Sequence, residues 1–192
     1  MEKKLILAST SSYRKELLKR LNIPFQTRDP GINEDIIKES LEEPRKIAEE
    51  LAKLKAKRAL RGLDEVSIGS DQVLDLEGKL LGKPGGQEKA IEQLLELQGK
   101  EHTLITAVCI AEDDGEHLFT SIAKMKMRPL DKEAITRYVD YDKPFDCAGS
   151  YKLESLGVSL FESIDVDDST GIVGLPLIKL CEFLRKTGFS LP

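Results

Sequence analysis

Apolar positions along the chain recur at two spacings, and the switches between them predict a mixture of strands and helices. Leu5-Ile6-Leu7-Ala8 is a short apolar run of the kind a buried strand makes, and it stops at Ser9-Thr10-Ser11-Ser12. Leu17, Leu18 and Leu21 then follow at near-helical spacing behind those hydroxyls, which are N-cap signals. Asn22-Ile23-Pro24 ends that helix, and 25–28 reads as the next strand. From 44 to about 60, Ile47, Leu51 and Leu54 stand at i, i+4 and i+7, an amphipathic helix with a proline in its first turn. Strand pattern returns over 66–74, 75–80 looks like a hairpin, and Ile91, Leu94 and Leu95 mark a helix over 87–98. Two further strands, 103–111 and 118–128, are joined by Glu112-Asp113-Asp114-Gly115, a strong turn signal. In the second of them Ala123, Met125 and Met127 alternate with Lys124, Lys126 and Arg128, so one face is wet. A helix over 131–141 with an acidic cap, a strand over 160–166 and a helix over 177–186 ended by Gly188 complete the pattern.

The 103–128 hairpin is incompatible with a purely parallel sheet. The expected class is α/β with a mixed sheet, in one compact unit or two lobes around a cleft. The length of 192 residues suits one ordinary domain with a sizeable core. At 40% hydrophobic and 33% charged, the composition is that of a soluble globular chain. A formal charge of −5 argues against wholesale binding to a nucleic-acid backbone, yet leaves room for a small phosphorylated ligand held by a few local cations. No apolar run approaches a membrane span, and the Leu-Ile-Leu-Ala stretch behind Met-Glu-Lys-Lys is too brief for a signal core. Cys109, Cys147 and Cys181 are odd in number and widely spaced, which points to a reducing, cytoplasmic compartment. His102 and His117 lack the partners of a zinc site.

Several polar segments interrupt this pattern. Gly69-Ser70-Asp71-Gln72 puts an acid where the strand should be apolar. Asp disfavours strand interiors, so a structural turn is one reading, with Gly78, Gly82 and Pro84-Gly85-Gly86 close by. A site carboxylate is the other, and the window alone leaves both open. Ser9 to Arg14 combines hydroxyls, a helix N-terminus and an arginine, which is what a phosphate requires, although a serine-rich cap with a solvated arginine fits as well. Glu34-Asp35 follows Gly31 in an expected loop. Lys55 lies one residue past Leu54, where it could sit beside the core face. Taken singly, both are ordinary surface charge. Gly82-Lys83-Pro84 and the irregular stretch from Asp146 to Glu154 are the remaining polar segments.

Together these segments resemble a known family. "LASTSSYRKELL" at 7–18, "GSDQV" at 69–73, "GKP" at 82–84, "DCAGSYKLE" at 146–154 and "GLPL" at 174–177 are similar, in order, to the Maf family of nucleoside triphosphate pyrophosphatases. The resemblance implies a single inosine-triphosphatase-like domain over 1–192, a mixed twisted sheet flanked by helices, with two lobes around a cleft. It implies hydrolysis between the α- and β-phosphates with Mg²⁺ or Mn²⁺, Asp71 activating water directly or through metal and Glu34 as a second metal carboxylate. Arg14, Lys55 and Lys83 would neutralise phosphates, and Ser9 would hold a phosphate oxygen. Tyr13, Gln72 and Glu154 stand at the family's base-reading positions and are similar to the YceF-like branch, whose substrate is 7-methyl-GTP. That fits the chemistry, because an aromatic face attracts the cationic methylated base and a carboxylate can accept from guanine's N1–H and 2-amino donors. Ser12 and Lys15 depart from the Pro and Arg common in the first block. The rivals are a pyrophosphatase for thymidine, uridine or non-canonical nucleotides, and a regulatory module that binds without turnover. The expected partner is a small nucleotide rather than nucleic acid or membrane, and a homodimer stays open.

Overall fold

The N-terminal apolar run becomes strand β1 (Lys4–Ala8), followed by α1 (Ser12–Lys19), β2 (Phe25–Thr27), α2 (Glu34–Ser40), α3 (Pro44–Ala59) and β3 (Glu65–Leu76). Then come β4 (Lys79–Leu81), α4 (Gln87–Leu97), β5 (Glu101–Glu112), β6 (Gly115–Met127), α5 (Lys132–Asp142), β7 (Phe161–Asp165), α6 (Thr170–Val173) and α7 (Leu177–Lys186). The structure is a computed structural model and describes residues 3–192, so Met1 and Glu2 of the stretch weighed as a signal core lie outside the described residues. The strands form one sheet in the order β2-β1-β3-β5-β6-β7, with β4 paired to β3. β1 is parallel to β2 and β3, whereas β4 is antiparallel to β3 and β7 to β6. The mixed α/β class is as the hairpin pattern required. Among the described residues, no helix is long and apolar enough to cross a membrane.

The chain divides into two compact units, and β3, β5 and β6 each run from one into the other. The first holds the chain up to Gln72, Thr106–Ser121 and Asp168–Pro192; the second holds Val73–Ile105 and Ile122–Asp167. In the first unit, β1 separates two layers by its period of two. Leu5 and Leu7 join Leu17 and Leu18 of α1 and Leu180 and Leu184 of α7, while Ile6 and Ala8 pack with Ala59 of α3. α3 approaches β3 unusually closely at Gly69, where an added Cβ would stand 2.2 Å from the Ala52 carbonyl oxygen and 2.4 Å from the Ala56 nitrogen. In the second unit α4 packs on α5, burying Ala90, Leu94 and Leu97 with Ile135 and Val139. The wet-face pattern of β6 holds there: Ala123, Met125 and Met127 are buried, Lys124 is exposed.

One expectation needs correction, and two readings left open are decided. Residues 34–40 form a helix, not a loop. Asn33 caps it by accepting from Asp35 N at 3.2 Å, and Glu34 and Asp35 fill its first turn. It buries no residue, so it has no apolar stripe to announce it. On α3 the buried stripe runs Ile47, Ala48, Leu51, Ala52, Lys55, Ala56 and Ala59, so Lys55 occupies a core position and Leu54 stands at its edge. Asp71 lies inside the 12-residue strand β3, which removes the turn reading.

Candidate active site

Asp71 and Lys55 are both buried, and the close approach at Gly69 brings them together. Asp71 is two residues along β3 from Gly69, and Lys55 is one helical turn along α3 from Ala52. Lys55 Nζ lies 2.7 Å from Asp71 Oδ1 and 2.6 Å from Glu34 Oε1, so one ammonium bridges two carboxylates. Glu34 Oε2 accepts from Lys38 Nζ at 2.9 Å, one turn further along α2. Burial pushes the Asp71 carboxyl above its ordinary range, against the pull of Lys55 and Arg14. Burial acts the same way on Glu34, but there Lys55 and Lys38 win and hold its carboxyl at about 2. Lys38 was not anticipated. Its only signal is the i, i+4 spacing from Glu34, which has meaning only once 34–40 is known to be helical.

The first family-like block starts α1. Ser11 caps the helix by accepting from Arg14 N, and buried Ser9 accepts from Ser11 N at 3.2 Å. Tyr13 and Arg14 follow in the first turn. Arg14 Nε donates to the Gly174 carbonyl at 3.0 Å, which fixes the guanidinium through one of its five N–H groups. Burial lowers the Arg14 pKa, and Asp71 and Glu34 act against that; the guanidinium stays charged. Ser70 Oγ donates to the same Gly174 carbonyl at 2.9 Å. Gln72 Nε2 lies 2.8 Å from Thr106 Oγ1 and 3.0 Å from each of the Gly171 and Ile172 carbonyls. The first unit therefore joins Glu34, Lys55 and Asp71 directly, holds Arg14 and Ser70 on one carbonyl, and seats Gln72 on the segment just before it.

Lys83 and Glu154 belong to the second unit, and both are exposed. The loop after β4 that carries Lys83 is tied to the Asp146–Glu154 stretch through Gln93 of α4. Gln93 Nε2 donates to Gly82 O at 3.0 Å, and Gln93 Oε1 accepts from Ser150 Oγ at 2.5 Å. The turn bearing Glu154 is held by Asp142, whose oxygens accept from Ser155 Oγ at 2.6 Å and Gly157 N at 3.1 Å. Tyr138 adds a third tie by accepting from Lys152 N at 2.8 Å. Neither Gln93 nor Asp142 carries a sequence signal, since each looks like an ordinary polar residue on a helix surface.

A divalent cation of the Mg²⁺ kind takes hard oxygens, usually one or two carboxylates completed by substrate phosphates and water. Glu34 and Asp71 provide two carboxylates converging on one ammonium, and among the described residues Asp71 Oδ2 is a buried oxygen without a hydrogen-bond partner. A buried carboxylate oxygen left in that state is costly unless something cationic or protonated meets it. Two carboxylates, with phosphate and water to complete the set, are the chemistry such a cation takes; among the described residues no group of three or more His, Cys, Asp or Glu side chains is placed to hold a metal ion.

Comparison with known proteins agrees with the five sequence blocks. The Maf-like protein family model matches residues 4–187. A protein of Bdellovibrio bacteriovorus named 7-methyl-GTP pyrophosphatase is 46% identical over 184 residues, covering 96% of this chain and 97% of the relative. Proteins of the same name from Polaromonas sp. and Xanthomonas campestris pv. campestris are 44% and 43% identical, covering 97% and 100% of this chain and 86% and 100% of the relatives. With the family matched over nearly its full length and these identities, the chain belongs to the Maf family.

Proposed function

We propose that this chain hydrolyses 7-methyl-GTP between its α- and β-phosphates, giving 7-methyl-GMP and diphosphate. The observation that carries the reading is the buried Lys55–Asp71 pair shared with Glu34, in a chain whose near-full-length relatives are named 7-methyl-GTP pyrophosphatase. Those names support nucleotide pyrophosphatase activity as a class, and Tyr13, Gln72 and Glu154 support the methylated guanine within it.

In this reading Asp71 accepts a proton from the attacking water as that water's oxygen bonds to the α-phosphorus. The bond from the α-phosphorus to the bridging oxygen breaks, and the electron pair leaves with diphosphate. Lys55 orients the Asp71 carboxylate through Oδ1 and offsets its charge. Arg14, held at Nε by Gly174, turns its terminal nitrogens to phosphate oxygens. Lys83 neutralises phosphate charge, and Ser9 holds a phosphate oxygen. Tyr13 stacks on the base, Gln72 and Glu154 hydrogen-bond to it, and the roles of Lys83 and Glu154 rest on the family resemblance alone. Glu34 and Asp71 would hold a divalent cation, which would supply charge neutralisation for the triphosphate and lower the pKa of bound water. The cytoplasm is the proposed compartment, on the odd cysteine count.

Diphosphate release from 7-methyl-GTP, GTP, dTTP, UTP and ITP, each with Mg²⁺ or Mn²⁺, tests this. The highest kcat/KM is expected on 7-methyl-GTP. A preference for dTTP or UTP would overturn the substrate assignment, and tight binding of all five without turnover would make the chain a binding module.

A further inference from the structure

Residues 168–178 make a closed segment whose hydrogen bonds reach several other elements of the first unit. Asp168 is buried, and its Oδ1 accepts from Thr170 N at 2.9 Å and from Thr170 Oγ1 at 2.6 Å. Its Oδ2 accepts from Ile178 N at 2.7 Å, and Thr170 Oγ1 itself accepts from Leu177 N at 2.8 Å. One carboxylate and one hydroxyl thus tie the start of α6 to the first turn of α7, closing the loop between them.

Three carbonyls of that closed loop hold Ser70 and two side chains assigned to substrate, Arg14 and Gln72. Gly174 O takes Arg14 Nε and Ser70 Oγ; Gly171 O and Ile172 O take Gln72 Nε2. Gly174 is at φ +113°, and a Cβ there would stand 3.3 Å from Arg14 Nε, so the loop is tight against the guanidinium. Thr106 Oγ1 donates its one proton to Gly171 O at 2.9 Å, so it can meet Gln72 only as an acceptor. Three acceptors around Nε2 decide which end of the amide faces the loop. Oε1, a pure acceptor, is the end left for a ligand.

We infer that Asp168 is a positioning residue for the reaction: by closing this loop it aims Arg14 and sets the Gln72 amide with its acceptor outward, while touching neither. The inference rests on the phosphate role of Arg14 and the base role of Gln72 in the reading above. Asp168 makes three of the four hydrogen bonds that close the loop, and Thr170 Oγ1 shares one of them and makes the fourth.

Asp168→Asn keeps the shape but turns one acceptor into a donor, which must meet either Ile178 N–H or the Thr170 N–H and hydroxyl. The folded variant is expected to lose roughly 10- to 100-fold in kcat/KM on 7-methyl-GTP, as loss of alignment at a reacting centre does. Its preference for 7-methyl-GTP over UTP should change several-fold, and in ¹⁵N NMR the Arg14 Nε–H and Gln72 amide resonances should shift and exchange faster with water. Thr170→Val should reproduce these effects, and Thr170→Ser, which keeps the hydroxyl, should restore wild-type behaviour. A merely structural Asp168 would lower the melting temperature and leave preference and resonances unmoved, and that result would overturn the inference. If Asp168→Asn does not fold, the Thr170 pair decides by the same readouts. If the wild-type protein turns over no nucleoside triphosphate, the functional reading fails, while the Arg14 and Gln72 resonances still decide whether Asp168 positions them.

Discussion

Lys55 takes a place on α3 where its neighbours in the stripe are alanine, leucine and isoleucine, and burying an ammonium there is costly unless it is paired. Asp71 and Glu34, at 2.7 and 2.6 Å, offset that cost. Removing Lys55 leaves Asp71 buried without its ion-pair partner, a loss of roughly 3–5 kcal/mol, whereas removing both is far milder and neutralising Asp71 alone leaves Lys55 paired with Glu34. Lys55→Met is therefore expected to lower stability by that order in chemical denaturation, and Lys55→Met with Asp71→Asn to recover part of it. Equal stability of the single and double variants would show that the two residues are not coupled. Outside the site, Arg28 binds Glu65 through two hydrogen bonds of 2.8 Å, and these hold the Glu65 carboxyl at about 2. A carboxyl lowered on folding stabilises the native state above its unfolded pKa, and the gain disappears as pH falls through the folded one. The gain, on the order of 2 kcal/mol, should be complete above about pH 4.5 and lost between there and about pH 2. Glu65→Gln should flatten acid unfolding in that window; an unchanged slope would contradict the strength assigned to the pair.

At the scale of elements, the contact of α3 with β3 sets the site, and Gly69 sets that contact. A methyl at position 69 must displace the α3 backbone, carrying Lys55 away from Asp71. Gly69→Ala is expected to destabilise by about 1–3 kcal/mol, the usual cost of overpacking, and to cut turnover out of proportion to that loss. A stable, fully active Gly69→Ala protein would mean that the helix is not constrained there. α2 presents the opposite case, a helix without a buried side chain, tied to α3 by the Glu34–Lys55 ion pair. Its amides should exchange hydrogen much faster than those of α3, whose stripe is fully buried. Equal protection would contradict that picture. The same contrast explains what the sequence disclosed. The leucine spacing of α1 and α7 and the alternation in β6 carry periodicity because they face a core. α2 carries none, because it buries no side chain, and so it reads from the sequence as a loop.

Taken whole, the chain has a formal charge of −5, yet the candidate site sets Arg14, Lys38 and Lys55 against Glu34 and Asp71. That local cation excess suits a triphosphate, and exposed parts of it are screened by salt. KM for nucleotide should accordingly rise with ionic strength more than kcat falls; a salt-independent KM would argue against the cationic subsite. Asp71 and Arg14 were legible because they stand in family-like blocks, and Lys55 because it follows Leu54 beside the apolar stripe of 44–60. The backbone carbonyls of Gly171, Ile172 and Gly174 were not, since every residue has a carbonyl and only the folded turn gives it a direction. For the same reason Asp168, Asp142 and Gln93 carried no signal, because only the fold supplies their partners. Asp71 is the residue on which the proposed chemistry depends most directly. Release of diphosphate and 7-methyl-GMP from 7-methyl-GTP should be compared for wild-type protein and Asp71→Asn, with folding and nucleotide binding measured alongside. Turnover is expected to fall by on the order of 10²-fold or more while fold and binding persist, and near-normal turnover in well-folded Asp71→Asn protein would contradict the assignment.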